Sequence, residues 1–549
     1  MRPLVMITAL LMGASLWGCQ KLPEKEEEIK TEKDVAKFLD RLEKGYETSC
    51  IRMGQATWNL YSGEGGADLN SVRAEFADIF LNSVYRKIVT HWRYSADKEI
   101  DGELKRRLDV WSQSFLGAYV EEDEEIYTLE TSLEERNHQF PFSMDGRVIS
   151  RAELNRIVRT DPDPERRRRA WEAFGLLSEA MESDLLRLMR KRNENVELLG
   201  RQIDYGTFSL MVQAINAGWL RGLIDRLEER TRQPYREFVN SLREGLGMKT
   251  LRPWDIQYAM RQAASLPDEY FPRDRALPTL FEFVRAIGFQ ADKLPIRIVE
   301  GNVAYRCLGL AVRIPSDFRL LVNLSQGHRF YSTLFHEYGR GLYAVHIQAE
   351  LPILKGYDWV LGASSSAYTE GMAEVMAEFT RDPLWLKKYT HLPEEQIELY
   401  ASARARLELY TIRSLMSTIS FELRAYENLE QNLDRLQKEL ERKFLLVDTP
   451  EDTPSRWASM TSLVTSPIYY QNYLLAAVVS AQIHQALKEQ FGDRMIDSPE
   501  VGRWLIENLY TPGETLPWRE RIRQATGKWP DIDAYVDRLV GATTAAWWR

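Results

Sequence analysis

The sequence predicts an all-α protein, a predominantly helical body with a small β-sheet near residues 295–325. Three observations carry this. First, Val35, Phe38, Leu39, Leu42 and Tyr46 fall at i, i+3, i+4, i+7 and i+11, one apolar stripe of an amphipathic helix. Second, the same period runs through residues 177–199, 401–423 and 476–491. Third, strand-like runs are few. The best is residues 308–323, two short β-rich pieces around a Pro315-Ser316-Asp317 turn. Pro-bearing stretches near 252–254, 266–278 and 512–517 read as loops inside one body, since none has the composition of a flexible linker.

The chain opens with an apolar run over residues 4–16 after one charge, Arg2. It is shorter than the roughly 20 residues needed to cross a bilayer and has the size of a signal-peptide core. It ends in Leu16-Trp17-Gly18-Cys19, which resembles the lipobox of bacterial lipoproteins. That resemblance implies a signal peptide over residues 1–18 and lipidation of Cys19. Gln20, in place of an aspartate, implies sorting to the outer membrane, facing the periplasm. Residues 19–33 include PEKEEEIKTEK, too charged to fold alone, and are expected to form a tether. Residues 34–549 are expected to be the folded domain.

Composition excludes several classes. With 72 basic against 81 acidic residues, the net charge of −9 argues against nucleic acid as the main partner. The Arg166–Arg169 run follows Asp163-Pro164-Glu165, a helix start, and reads as a solvated face with Glu165 and Glu172 as partners. Three cysteines cannot form a disulfide framework. With Cys19 lipidated, Cys50 and Cys307 remain, and their pairing stays open. Seven histidines leave few candidates for a histidine-based site.

One segment carries the functional argument: Thr333-Leu334-Phe335-His336-Glu337-Tyr338-Gly339-Arg340. Zinc peptidases use H-E-x-x-H on a helix, where both imidazoles share a face and the glutamate acts as general base on zinc-bound water. Here Arg340 stands at the second histidine. A guanidinium has no lone pair to offer a metal. At about 4 Å it would repel Zn²⁺ by about 8 kcal/mol at an effective dielectric of 20. Downstream, Glu370 and Glu374 lie one helical turn apart and share a face. His346 lies ten residues past His336, about 80° off its face on a continuous helix, and His328 lies in a loop upstream, so neither replaces the lost ligand.

These segments resemble the M2/M3 group of gluzincin metallopeptidases, most of all the angiotensin-converting-enzyme (peptidyl-dipeptidase A) branch. The resemblance extends over residues 38–62, 161–174, 185–210, 317–347, 366–379 and 468–487, in the right order. It implies a zincin/neurolysin-like body of two lobes around a deep central cleft. It implies His336 and Glu370 as metal ligands, Glu337 as general base and Glu374 as the carboxylate supporting a ligand histidine. It places Tyr473 at the oxyanion-stabilising tyrosine and Tyr470 at one that holds the substrate carboxylate. The departures form a pattern. Arg340 replaces a ligand, and Leu308 and Leu463 stand where the family has substrate histidines. Thr461 stands where it has the lysine for the substrate C-terminus. The expectation is therefore a metallopeptidase-like lipoprotein without zinc hydrolysis, binding peptides in its cleft or acting as a scaffold, with no cofactor and with the membrane met only through its N-terminal lipid. The alternative is a working zinc peptidase with an unorthodox metal site. In either case the guanidinium of Arg340 is expected at the zinc position, paired with Glu370 or Glu337.

Overall fold

The structure is a computed structural model that describes residues 22–66, 68–94, 100–263, 266–301, 307–454 and 456–543, with the side chains of 261–263 and 542–543 left aside. The signal-peptide reading and Cys19 lie outside the described residues. The protein is 72% helical with 4% strand, the predominantly helical fold that the periodicity called for and consistent with the zincin-like body that the resemblance implies.

Helix α1 (Glu32–Ser62) begins at a capping box. The Thr31 hydroxyl accepts from the Asp34 amide and the Asp34 carboxylate accepts from the Thr31 amide. The predicted stripe, Val35 to Tyr46, is buried. In the charged stretch before it, Pro23 is buried, and Leu22 and Ile29 pack against the core. Helix α2 (Pro164–Leu198) starts on the Asp163 cap with proline in its first turn. In its basic run, Arg168 pairs with Glu165 and Glu172 as expected. Arg167 departs from the solvated-face reading. It is wholly buried, 2.6 Å from Asp255, and donates to the carbonyls of Asp161 and Pro162. A run of four residues spans more than a full helical turn, so one of them must face inward.

A two-residue antiparallel ladder, β1 (Ser143–Met144) and β2 (Arg147–Val148), turns through Asp145 and Gly146, both at positive φ. The main sheet has three strands: β3 (Ile296–Glu300), β4 (Cys307–Arg313) and β5 (Asp317–Val322), in the order β3-β5-β4. Strands β4 and β5 are the antiparallel pair foreseen around Pro315. Strand β3 runs parallel to β5. Cys50 and Cys307 are both buried, and no disulfide joins them.

The HEYGR motif lies on helix α3 (His328–His346), packed between the sheet and helix α4 (Ser366–Phe379). Two glycines make these approaches possible. A Cβ on Gly339 would stand 2.8 Å from the Met376 Cβ, so the glycine of the motif is what lets α3 press on α4. A Cβ on Gly309 would stand 2.8 Å from the Glu337 carboxylate. Behind α4 lies helix α6 (Tyr470–Phe491), and across the cavity lie helix α5 (Glu394–Glu427) and helix α7 (Asp533–Thr543). Among the described residues no helix is long and apolar enough to cross a membrane.

Candidate active site

On α3, Leu334, Phe335, Tyr338 and Leu342 are buried, which leaves His336, Glu337 and Arg340 on the half-open face. That face meets α4. The His336 Nε2 stands 3.3 Å from Glu370 Oε2, and its Nδ1 stands 3.5 Å from Glu374 Oε2. One helical turn along α3, Arg340 Nη1 lies 3.7 Å from Glu370 Oε1. The guanidinium therefore takes Glu370, not Glu337, as its ion-pair partner. Glu337 instead accepts the Gly309 amide of β4 at 2.9 Å. His336, Glu370, Glu374 and Tyr473 line one cavity of about 680 Å³ with residues of α5. A separate cavity of about 720 Å³, beside Trp219, Arg519 and Trp529, holds no comparable histidine–carboxylate cluster.

The charges of this cluster hold one another. Burial works against a charged His336, but its hydrogen bonds to Glu370 and Glu374 outweigh that and push its pKa up to about 9. Burial likewise opposes the ionised forms of Glu370 and Glu374. His336 and Arg340 bring Glu370 down to about 2, and Arg381 and His336 bring Glu374 down to about 2. Arg340 is held above its usual range against burial, first by Glu370 and then by Glu337. A consequence can be measured. The His336 pKa is raised on folding, so its contribution is complete below pH 6.5 and lost as pH rises through about 9. The carboxylates contribute above pH 4.5 and lose that contribution as pH falls toward 2. Stability of the protein is expected to fall by about 2–3 kcal/mol from pH 6.5 to above 9. Denaturant titrations of the parent and of His336→Gln at several pH values check this. Equal alkaline losses in the two proteins would remove His336 as the cause.

Four members of the site were not legible beforehand. Tyr469 donates its hydroxyl to Glu370 Oε1 at 3.0 Å, one residue before the tyrosine singled out from sequence. Tyr470 does not line the cavity. It packs against Tyr473 with ring centroids 6.1 Å apart. Tyr469 and Tyr473 are four residues apart and share a helix face, and that spacing in IYYQNY was the available signal. Arg381 bridges Glu374 and Glu378 and also donates to Ser332. Arg404 of α5 and Arg538 of α7 both bind Glu378 and Glu408.

The other histidines are structural or exposed. His328 is held down to about 3, mainly by burial, between the Thr380 carbonyl and the Tyr400 hydroxyl. His346 turns back on the Leu342 carbonyl of its own helix. His484 meets the Val375 carbonyl. His91, His138 and His391 are exposed. Leu463, at a family histidine position, is fully buried, with its carbonyl accepting from Arg192.

The residues present do not fit a zinc ion. Both nitrogens of His336 face carboxylates, and Arg340 fills the place of a donor while offering none. Among the described residues no group of three or more His, Cys, Asp or Glu is placed to hold a metal.

No family model matches the chain, and no curated protein matches it by sequence. Solved structures do match. An M32 carboxypeptidase from Deinococcus radiodurans R1 superposes with a TM-score of 0.65 at 14% identity, covering 92% of this chain and 98% of its own. Metallocarboxypeptidase 1 of Trypanosoma cruzi superposes with a TM-score of 0.66 at 14% identity, covering 94% of this chain and all of its own. The protein has a metallopeptidase-like fold. At this identity the likeness is one of fold, and the chemistry has to be argued from the residues above.

Proposed function

We propose that the protein is a peptidase-like lipoprotein of the cell envelope that has lost zinc hydrolysis and holds peptides in its cleft. One observation carries this: the Arg340 guanidinium beside Glu370, where a zinc site of this motif needs a second imidazole. The loss of the two substrate histidines, to Leu308 and Leu463, supports it. So does the protonated His336, whose two carboxylate partners leave it no lone pair for a metal. The six segments that resemble the M2/M3 group favour the peptidyl-dipeptidase branch as the origin of the fold, while the structural neighbours are carboxypeptidases. Both point to peptides as the ligand class. The Leu16-Trp17-Gly18-Cys19 segment supports a lipid anchor and an outer-membrane location.

The test is a metal analysis of the purified protein, with a quenched fluorescent peptide assay in added zinc. The expected result is less than stoichiometric zinc and no cleavage above background. One zinc per chain, with cleavage abolished by a chelator, would overturn this reading in favour of an active zinc peptidase.

A further inference from the structure

We propose that the surface cavity beside Trp219, Arg519 and Trp529 binds a saccharide that carries a carboxylate, with Arg519 as the receptor for that carboxylate. The proposal is independent of the peptide-binding reading, since this cavity shares no lining residue with the cleft around His336.

Two helices and a turn build the cavity. On the helix Ala217–Gly245, the Asn216 side chain caps the first turn by accepting from the Trp219 amide. Trp219, Gly222, Leu223 and Arg226 then follow at helical spacing on one face. A Cβ on Gly222 would meet nothing within 4 Å, so the glycine leaves this face open between its neighbours. The second helix, Trp518–Thr526, ends at Gly527 in the left-handed conformation. The turn that follows brings Trp529, Pro530 and Asp531 to the cavity wall. The arginines here differ in their commitments. Arg226 pairs with Asp531 at 3.2 Å, and Arg523 pairs with Glu520. Arg519 makes no ion pair and no hydrogen bond among the described residues. Its guanidinium lies 4.4 Å from the Trp219 ring centre and 5.7 Å from that of Trp529, and its Nε is buried without a partner. Burial lowers its pKa, and no carboxylate acts against that.

Each part of this arrangement selects something in the ligand. A guanidinium carries its N–H donors in one plane, and a carboxylate takes two of them in parallel, each bond charge-assisted. One uncommitted cation calls for one anionic group. Trp529 keeps 52% of its surface open. A pyranose ring lays its C–H face on such an indole, and the rigid side chain gives contact area at little cost in ordering. The Arg226–Asp531 pair supplies donors and an acceptor for ring hydroxyls. A bare anion would leave both indoles idle. An aromatic acid would leave the Arg226–Asp531 pair without a partner in the ligand. A uronic acid uses all three. The cavity, about 720 Å³, is lined in part by the exposed Gly222, Arg226 and Trp529, so further sugars of a longer chain can run from it into solvent.

The experiment uses the full-length protein and a matched pair of sugars, methyl β-glucuronide and methyl β-glucoside, which differ by a carboxylate against a hydroxymethyl group. Binding is read by ligand-observed NMR titration. The glucuronide is expected to bind about tenfold tighter than the glucoside. Arg519→Gln is expected to bring the two to parity, and Arg519→Lys to keep part of the preference. Trp529→Ala is expected to weaken both sugars about fivefold. Thermal melts check that the variants are folded. Equal binding of the two sugars by the parent, or a preference that survives Arg519→Gln, overturns Arg519 as the receptor. Unchanged binding in Trp529→Ala puts the sugar elsewhere and overturns the site. Benzoate that binds as tightly as the glucuronide overturns the saccharide assignment in favour of an aromatic acid, and inorganic phosphate that does so overturns it in favour of a bare anion. Failure of both sugars to bind overturns the proposal outright.

Discussion

Arg340→His is expected to give the protein a zinc ion at one per chain, bound at least about a thousandfold more tightly than by the parent. The argument is geometric. Position 340 is one helical turn from His336 on the same half-open face of α3, and Glu370 stands between the two. The substitution removes the cation and supplies the third donor at the i, i+4 spacing that zinc sites on helices use. The supporting carboxylate is already in place, since Glu374 stands 3.5 Å from His336 Nδ1. Binding must strip the His336 proton, so affinity should rise with pH. Calorimetric zinc titration and metal analysis read the result. Hydrolysis is not expected to return with the metal. A missing oxyanion donor costs about 100- to 1,000-fold in rate, and Leu308 and Leu463 still stand where the resemblance expects histidines. If the variant binds zinc no better than the parent, the cluster around Glu370 is not the remnant of a metal site.

Glu370→Ala is expected to destabilise the protein by about 3–5 kcal/mol, the cost of removing one partner from a buried charge cluster. Glu370 is 6% exposed and receives three groups at once, His336, Arg340 and the Tyr469 hydroxyl. Without it two cations face each other across a gap and a half-buried hydroxyl loses its acceptor. The loss should be largest at pH 6.5 and smaller above 9, because the imidazole relieves the repulsion by giving up its proton. Chemical denaturation at the two pH values checks both size and direction. A loss below about 1 kcal/mol at pH 6.5 would mean that solvent already screens the cluster.

The helical body was legible because a 3.6-residue period over long stretches leaves little ambiguity, as in α1 and α6. The β4–β5 pair was legible because a turn at Pro315 joins two adjacent runs. His336, Glu370, Glu374 and Tyr473 stood out in the sequence because each falls on a motif, and the four line one cavity. Motifs did not reach contacts made across the chain. Tyr469 meets Glu370 over 99 positions, and Arg538 meets Glu408 over 130. No local pattern in the sequence reports such a pairing. Arg167 shows the same limit from the other side. Its neighbours are charged and solvated, and only the fold brings Asp255 to it, 88 positions away.

The ionic lattice on α4 has a further consequence. His336, Arg340, Arg381, Arg404 and Arg538 stand against Glu337, Asp358, Glu370, Glu374, Glu378 and Glu408, so the positive and negative groups nearly match. Such a set is strongly polar at contact distance and nearly silent beyond a Debye length. A charged ligand arriving from solution would not be drawn in by long-range attraction, so its encounter rate would be set by diffusion and fit and would respond little to ionic strength. A cleft of this kind ignores bulk charge and distinguishes ligands only once they are inside.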